Sequence, residues 1–326
     1  MAKGNGLLFL RKNRTLGYKI KYLYYLLFKK ERLQKRQSYG ELNEDMTIYI
    51  VKPDTEDCIE GLLSLVARTS LYIRYGKKHD YTVCVDWKNY KTQYYDGKSN
   101  AWNFFFEQPS QMTLEDAYKS KNVIVSGWTF RDLNPRAVYS ERLFFDSVLT
   151  KECHELLVNG VRFNTEVEKI CRVERTRLNI KNRLGVYLRG TDYVILKPSG
   201  EYVQPTVQQV IEKIDEFMFR YDNPDIYLVT EDGNIYNAIK EKYGNQVGVV
   251  SFDSHIYKYR GDTFLSKSGV LDDDKKKRGI NYLVKMVLLS QCRYLVSSIT
   301  MGSMFSYGLN GGKYEDKFIF ELGLYE

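Results

Sequence analysis

The sequence predicts an α/β fold built on parallel, doubly wound sheets. Three observations support this. In the second half, short apolar runs rich in β-branched residues alternate with stretches of helical periodicity. Several of these runs end in polar or charged residues, as strands do at the ligand-binding edge of an open α/β sheet. Apolar residues make up 43% of the chain, yet no apolar run reaches the roughly 18 residues of a membrane-spanning helix.

The second half gives the clearest pattern of alternation. The run 184–188 has a β-branched centre and predicts a buried strand. Pro205 suits the start of the next helix, and Pro224 suits its end. Further strands are predicted over 226–230, 247–252 and 294–298, and helices over 205–223, 234–243 and 279–292. This order of strands and helices favours one parallel sheet.

The first half contains fewer and weaker signals of the same kind. Strands are predicted over 47–51, 81–87 and 122–128, and helices over 58–75, 138–159 and 165–177. The last of these helices is highly charged, which suggests a bridge between two halves. We therefore predict a leader over 1–45, one α/β domain over 46–178 and a second over 179–326.

The numbers and spacing of cysteine and histidine indicate neither a metal site nor a disulfide framework. The five cysteines are scattered without a Cys-x-x-Cys pair, and only three histidines are present, so a metal site is not expected. We expect the cysteines to be buried, reduced thiols in a cytoplasmic protein. Residues 7–10 are too short for the apolar core of a signal peptide. Residues 272–274 contain an Asp-x-Asp, but they lie in a charged run typical of a solvated loop.

The chain has a net charge of +8, and the excess of positive charge is concentrated in the leader. Residues 11–36 contain ten Lys or Arg and one acid, Glu31. Apolar residues recur there at helical spacing: Leu16, Ile20, Leu23 and Leu27. This pattern suits a helix at an anionic membrane surface, on the inner face of the membrane, or equally a helix packed on the domain with a solvated basic face. Nucleic-acid binding ranks below both, because no nucleic-acid motif accompanies the charge.

Polar residues follow the strand predicted over 184–188. Arg189 offers a planar fork of donors for phosphate or carboxylate oxygens. Gly190 allows the backbone to come close to a ligand, and Thr191 and Asp192 provide hydrogen-bonding groups. The alternative is a structural Arg189–Asp192 pair that closes a turn.

Other predicted strands end in similar groups. Their candidate ligand-binding residues are Glu231, Asp232, Asp253, Ser298, Thr300, Gly302 and Ser303. Residues 298–303 are rich in hydroxyls and glycine at a strand-to-helix turn, whose free N–H groups suit a phosphate. The turn is not a Walker A loop, and no G-x-G-x-x-G follows the first strand.

Residues 187–193, Tyr-Leu-Arg-Gly-Thr-Asp-Tyr, resemble the strand-and-loop signature of the fucosyltransferase superfamily, which reads His-Val-Arg-Arg-Thr-Asp. The first arginine of that signature contacts the β-phosphate of GDP-fucose and corresponds to Arg189. The chain departs from the signature at Tyr187, in place of histidine, and at Gly190, in place of the second arginine.

The resemblance continues in both halves of the chain. Residues 228–232 are similar to the superfamily's Ala-Thr-Asp-Asp stretch near the nucleoside. Residues 289–300 resemble its Leu-Ser to Phe-Ser-Ser segment, whose phosphate-binding serine matches Thr300. Three further stretches resemble bacterial proteins that are encoded near surface-polysaccharide genes. These stretches are 100–102, 107–109 and 310–315.

The resemblance implies a GT-B-like pair of Rossmann-type domains facing across a cleft. The donor would bind to 179–326, and the acceptor side would be 46–178. It also implies an inverting, metal-independent fucosyltransferase that takes GDP-fucose as donor and needs no cofactor. The acceptor would be a glycan or a lipid-linked oligosaccharide in surface polysaccharide synthesis.

Roles for individual residues follow from this chemistry. Arg189, with the amides of 300–303, would neutralise the leaving diphosphate. Asp192 or Glu201 would accept the proton of the acceptor hydroxyl. Trp87 and Trp102 are candidates for stacking on the acceptor sugar. The alternative is a non-catalytic glycan- or membrane-binding protein that retains the fold, because two signature positions are replaced.

Overall fold

The computed structural model describes residues 14–53, 60–128, 138–252 and 274–326. They contain two β-sheets, one of four strands and one of five. The chain forms two compact units, one covering residues up to 137 with 159–162, the other covering 138–158 and 163–326. The predicted α/β class is confirmed, and strand pairing is parallel except for one pair of strands at the edge of the first sheet. The GT-B pairing of the domains stays a prediction.

The sheet of the first unit has the order β1-β4-β2-β3. Its strands are β1 (Lys35–Gln37), β2 (Ile48–Val51), β3 (Thr82–Val85) and β4 (Val123–Val125), and its helices are α1 (Arg14–Phe28), α2 (Leu62–Lys78) and α3 (Leu114–Ala117). Strand β2 is parallel to both neighbours, while β1 runs antiparallel to β4 at the edge. All four residues of β2 are buried, which explains why that strand is apolar throughout.

The sheet of the second unit is parallel throughout, in the order β7-β6-β5-β8-β9. Its strands are β5 (Leu184–Tyr187), β6 (Ile226–Val229), β7 (Val247–Gly248), β8 (Tyr294–Ser298) and β9 (Asp316–Phe320). The helices of this half are α4 (Ser147–Gly160), α5 (Thr165–Leu178), α6 (Thr191–Leu196), α7 (Val207–Arg220), α8 (Gly233–Tyr243), α9 (Lys275–Leu289) and α10 (Met301–Asn310). The strand order reverses between β5 and β8, and such a reversal leaves a crevice at the carboxyl ends of the two strands.

Both faces of this second sheet are covered by helices. On one face, Val210 and Ile214 of α7 pack in the same buried cluster as Val186 of β5. On the other face, a Cβ added at Gly185 would lie 2.8 Å from Cδ1 of Leu289 on α9. Glycine at this position therefore lets α9 pack directly against the central strand.

The domain boundary differs from the sequence prediction. The sequence indicated a bridging helix over 165–177 and a boundary after residue 178, whereas the contacts divide at residue 137. Helix α5 lies in the second unit, where Arg175 Nε donates to Gln291 Oε1 at 2.6 Å. Lys276 Nζ of α9 also lies 2.6 Å from Glu166 Oε2 of α5. The charges of α5 thus serve packing within one unit.

The four cysteines within the described ranges, Cys84, Cys153, Cys171 and Cys292, are buried and form no disulfide. Burial raises the pKa of Cys84 and of Cys171 to about 12. These thiols are therefore protonated at neutral pH. Cys58 lies outside the described residues.

Candidate functional site

Three strand-to-helix turns meet at one level of the second sheet. Tyr187 of β5 pairs in register with Val229 of β6 and with Ser297 of β8, so these strands end side by side. The turn after β5 carries Arg189 and leads into α6. The turn after β6 carries Glu231, and the turn after β8 carries Thr300. Because β5 and β8 flank the reversal of strand order, these turns line the crevice where open α/β sheets bind ligands.

Arg189 lies between a carboxylate and an aromatic ring. Its Nε is 3.8 Å from Oε2 of Glu231, and its Cζ is 4.5 Å from the ring centroid of Tyr193. About a quarter of the Arg189 side chain is exposed (24%), against 13% for Glu231. The contact with Glu231 is long for a charge-assisted hydrogen bond. This contact orients the guanidinium.

Tyr187 connects β5 to the start of α10. The side chain is buried, and a Cβ added at Gly302 would lie 2.9 Å from its Oη. The hydroxyls of Thr300 and Tyr282 adjoin that oxygen. Within the described residues, however, Tyr187 Oη makes no hydrogen bond of ordinary geometry. Three hydroxyls, those of Tyr187, Tyr282 and Thr300, therefore meet at the start of α10.

The phenols at this site are neutral at physiological pH. Burial raises the pKa of Tyr187 to about 12, the charge of Glu231 raises it further, and Arg189 opposes the shift. Burial also raises the pKa of Tyr282, on α9, well above its ordinary value. Both hydroxyls are therefore protonated and able to donate a hydrogen bond.

The start of α10 is closed by a capping box. Ser303 N donates to Thr300 Oγ1 at 3.1 Å, and Thr300 N donates to Ser303 Oγ at 2.9 Å. The two hydroxyls predicted to meet phosphate thus cap the helix. The amides of Met301 and Gly302 have no acceptor among the described residues, and they carry the positive end of the helix dipole.

Gly190 and Asp232 hold the turns after β5 and β6 together. Asp232 is buried and caps α8, accepting from the amides of Asn234 at 2.7 Å and Ile235 at 3.3 Å. A Cβ at Gly190 would lie 2.9 Å from Cβ of Asp232. A residue larger than glycine at position 190 would therefore push the two turns apart.

The remaining predicted site residues have no described side-chain contact with Arg189 or with the start of α10. Ser298 is buried, and its Oγ makes no hydrogen bond within the described part of the chain. Glu201 is exposed, and its backbone pairs with Pro198 and Tyr325. Thr191 and Asp192 begin α6, but their side chains lie outside what the structure describes, as does all of Asp253.

The prediction that Trp87 and Trp102 stack on an acceptor sugar is wrong. Both side chains are fully buried, with ring centroids 5.2 Å apart in an edge-to-face arrangement. Trp102 Nε1 also donates to the carbonyl of Glu107 at 2.9 Å. A stacking platform needs an open ring face, and these rings are part of the core of the first unit.

Tyr193 and Tyr282 belong to the site but were not predicted from the sequence. Tyr193 lies in a helix of six residues, too short for a periodic signal. Tyr282 lies on α9, whose inward face is known only once its packing is known.

We find no group of three His, Cys, Asp or Glu side chains arranged to hold a metal ion within the described ranges. Asp274 caps α9 by accepting from Lys277 N at 3.0 Å, which gives it a structural role. Asp272 and Asp273 lie outside those ranges.

No protein-family model and no curated protein matches this chain. Solved structures do. NodZ α-1,6-fucosyltransferase, known from Bradyrhizobium and soaked with GDP-fucose, is 13% identical over 81% of this chain and 92% of its own, with a TM-score of 0.47. A point mutant of Arabidopsis thaliana FUT1 in complex with GDP is 11% identical over 86% of this chain and 72% of its own, with a TM-score of 0.48. POFUT1 in complex with GDP-fucose is 9% identical over 87% of this chain and its full length, with a TM-score of 0.47. The first is named as a fucosyltransferase.

Proposed function

We propose that this protein is a glycosyltransferase that binds a nucleoside-diphosphate sugar at the carboxyl ends of β5 and β8. The observation that carries the proposal is the combination of Arg189 on one side of the strand reversal with the open amides of Met301 and Gly302 on the other. By the resemblance of its motifs, the donor is GDP-fucose and the acceptor a glycan of a surface polysaccharide.

The charge pattern of the site suits a diphosphate. Arg189 supplies a full positive charge, and the start of α10 adds a partial one. Tyr187 and Tyr282 supply neutral donors. Glu231 would repel a phosphate placed directly against it, so its carboxylate suits the hydroxyls of the ribose. The diphosphate then lies on the α10 side of Arg189.

The reaction is an inverting displacement at the anomeric carbon of the donor sugar. The acceptor oxygen forms a bond to that carbon, and the bond to the diphosphate oxygen breaks with its electron pair. Arg189 and the amides of α10 stabilise the charge that develops on the leaving group. A carboxylate takes the proton of the acceptor hydroxyl. Asp192 is three residues from Arg189 and is our first choice, with Glu201 the second.

A donor panel tests this function. The full chain is incubated with GDP-fucose, GDP-mannose and UDP sugars, with mixed glycan acceptors, and both transfer and donor hydrolysis are measured. We expect turnover with GDP-fucose, a loss of about 10²-fold or more in Arg189→Ala, and a smaller loss in Arg189→Lys. Asp192→Asn and Glu201→Gln separate the two candidate bases. Full activity of Arg189→Ala would contradict the proposal.

A second candidate is a non-catalytic protein that binds the same ligand. The close packing of Gly190 on Asp232 favours it, because this packing excludes the second arginine of the superfamily signature. It predicts binding of GDP-fucose without transfer or hydrolysis for any acceptor tested. Binding and turnover measured on one preparation decide between the two.

A further inference from the structure

We propose that α1 and the adjacent strand β1 form a docking surface for an anionic lipid bilayer, with the helix lying in the plane of the membrane surface. The segment Arg14–Gln37 is called the basic leader below. This inference does not depend on the proposed function, because the basic leader belongs to the first unit and the candidate site lies in the second.

One side of α1 is a row of exposed apolar side chains. The exposed fractions are 50% for Ile20, 55% for Leu23, 50% for Tyr24, 61% for Leu27 and 68% for Phe28. These positions follow the i, i+3, i+4, i+7, i+8 spacing of a single helical stripe. Scattered exposed apolar residues are ordinary, but a continuous stripe of this kind marks an interaction surface.

The other side of α1 is fixed to the first unit. The rings of Tyr22 and Tyr25 pack on Trp128 with centroid distances of 6.0 and 5.4 Å. Lys21 Nζ lies 5.2 Å from the same indole ring, as a cation–π contact. The side of α1 that carries Tyr22 and Tyr25 therefore packs on the first unit, and the apolar stripe lies on the opposite side.

The basic leader that carries the stripe is also rich in positive charge. Between residues 14 and 36 there are eight Lys or Arg and one acid, Glu31. Lys19, Lys30, Lys35 and Arg36 are exposed, the last two on β1. None of the helices in the described part of the chain is long and apolar enough to cross a bilayer. The basic leader thus combines the two features of a surface-bound helix, an apolar stripe and a cationic border.

A lipid surface matches this combination better than the other occupants do. A second copy of the chain would bring the same cationic border against the first and repel it. A nucleic acid would match the charge, but three of the five stripe residues, Ile20, Leu23 and Leu27, are aliphatic and offer no ring on which a base could stack. An anionic bilayer offers a negative surface for the cationic side chains and, just beneath it, an apolar interior for the stripe.

Vesicle sedimentation of the full chain tests the proposal. Vesicles of phosphatidylcholine mixed with phosphatidylglycerol in equal parts are compared with vesicles of phosphatidylcholine alone. We expect binding to the mixed vesicles that weakens with added salt. Lys19→Gln with Lys30→Gln should reduce it by about fivefold per residue. Leu23→Glu with Leu27→Glu should reduce it more than tenfold, because charges replace the inserted side chains.

The matched control is Phe219→Glu. Phe219 is 94% exposed on α7 of the second unit, so it tests an exposed apolar residue outside the basic leader. It should leave vesicle binding unchanged. Circular dichroism and thermal unfolding of each variant show that the fold is retained. The proposal is overturned if the leucine variant binds vesicles as the parent does, if it instead dissolves a dimer seen by sedimentation velocity, or if the leader binds a single-stranded oligonucleotide and no vesicles.

Discussion

Two arginines flank the central strand β5, and we predict opposite consequences when each is replaced by alanine. Arg183 precedes the strand. Its guanidinium donates to the carbonyls of Ile226 at 2.9 Å, Gln246 at 3.1 Å and Leu178. Its loss leaves three backbone acceptors without this donor, at a cost of about 1 kcal/mol or more each, so Arg183→Ala should lower the free energy of unfolding by about 3–5 kcal/mol.

Arg189 follows the same strand and has a different set of contacts. Its ion pair with Glu231 is 3.8 Å long, and the side chain is 24% exposed, so the pair adds little to stability. Arg189→Ala should therefore change the free energy of unfolding by about 1 kcal/mol or less. Affinity for GDP should fall by about 2–5 kcal/mol, roughly thirty-fold or more, because under the proposed function this partly buried cation faces the diphosphate.

The assay pairs denaturant unfolding with calorimetric titration of GDP. Both variants are titrated at a temperature where each is folded. Arg183→Ala should bind GDP with the parental dissociation constant. The reasoning is refuted if Arg189→Ala destabilises the fold while GDP affinity is kept, or if both variants lose GDP equally.

Three further predictions concern positions where the structure gives a definite contact. Gly302→Ala should cost about 1–3 kcal/mol of stability and weaken GDP binding, since the new Cβ would lie 2.9 Å from the Tyr187 ring; unfolding and titration measure both. Trp102→Ala should cost about 3–5 kcal/mol by thermal unfolding with GDP affinity unchanged, and an unaltered melting temperature would show that the indole is not core. Burial pushes the pKa of Glu174 up, but hydrogen bonds from Arg177 and Ser251 outweigh it and hold that pKa below its ordinary 4.5. The stabilisation by the Glu174 carboxylate is therefore complete above pH 4.5 and is lost as pH falls through the lowered pKa. In Glu174→Gln the free energy of unfolding should fall less steeply on acidification than in the parent. Parallel curves of unfolding free energy against pH would contradict this.

The elements that the sequence predicted well have strong local signals. Strands β5 and β6 are continuous apolar runs and β8 begins with one, because each strand is buried on both faces. The missed elements lack such a signal. Strand β1 is three exposed polar residues at a sheet edge, and α6 is a single short helix after Gly190. Their structure depends on tertiary neighbours rather than on periodicity.

Much of the candidate site could also be predicted from the sequence. Charged and hydroxyl residues at strand ends identified Arg189, Glu231 and the turn before α10. Local sequence patterns do not predict the order of strands within a sheet. The reversal between β5 and β8 is therefore known only from the structure. Local patterns also do not tell a capping hydroxyl from a ligand-binding one, as Thr300 shows, or a buried indole from an open one, as Trp102 shows.

Amide hydrogen exchange at the start of α10 tests the central claim most directly. The exchange rates of the Met301 and Gly302 amides are measured by NMR with and without saturating GDP. We expect both to slow by tenfold or more, because the diphosphate becomes their acceptor. Unchanged rates at these two amides, with GDP bound and protection appearing elsewhere, would contradict the placement of the diphosphate between β5 and β8.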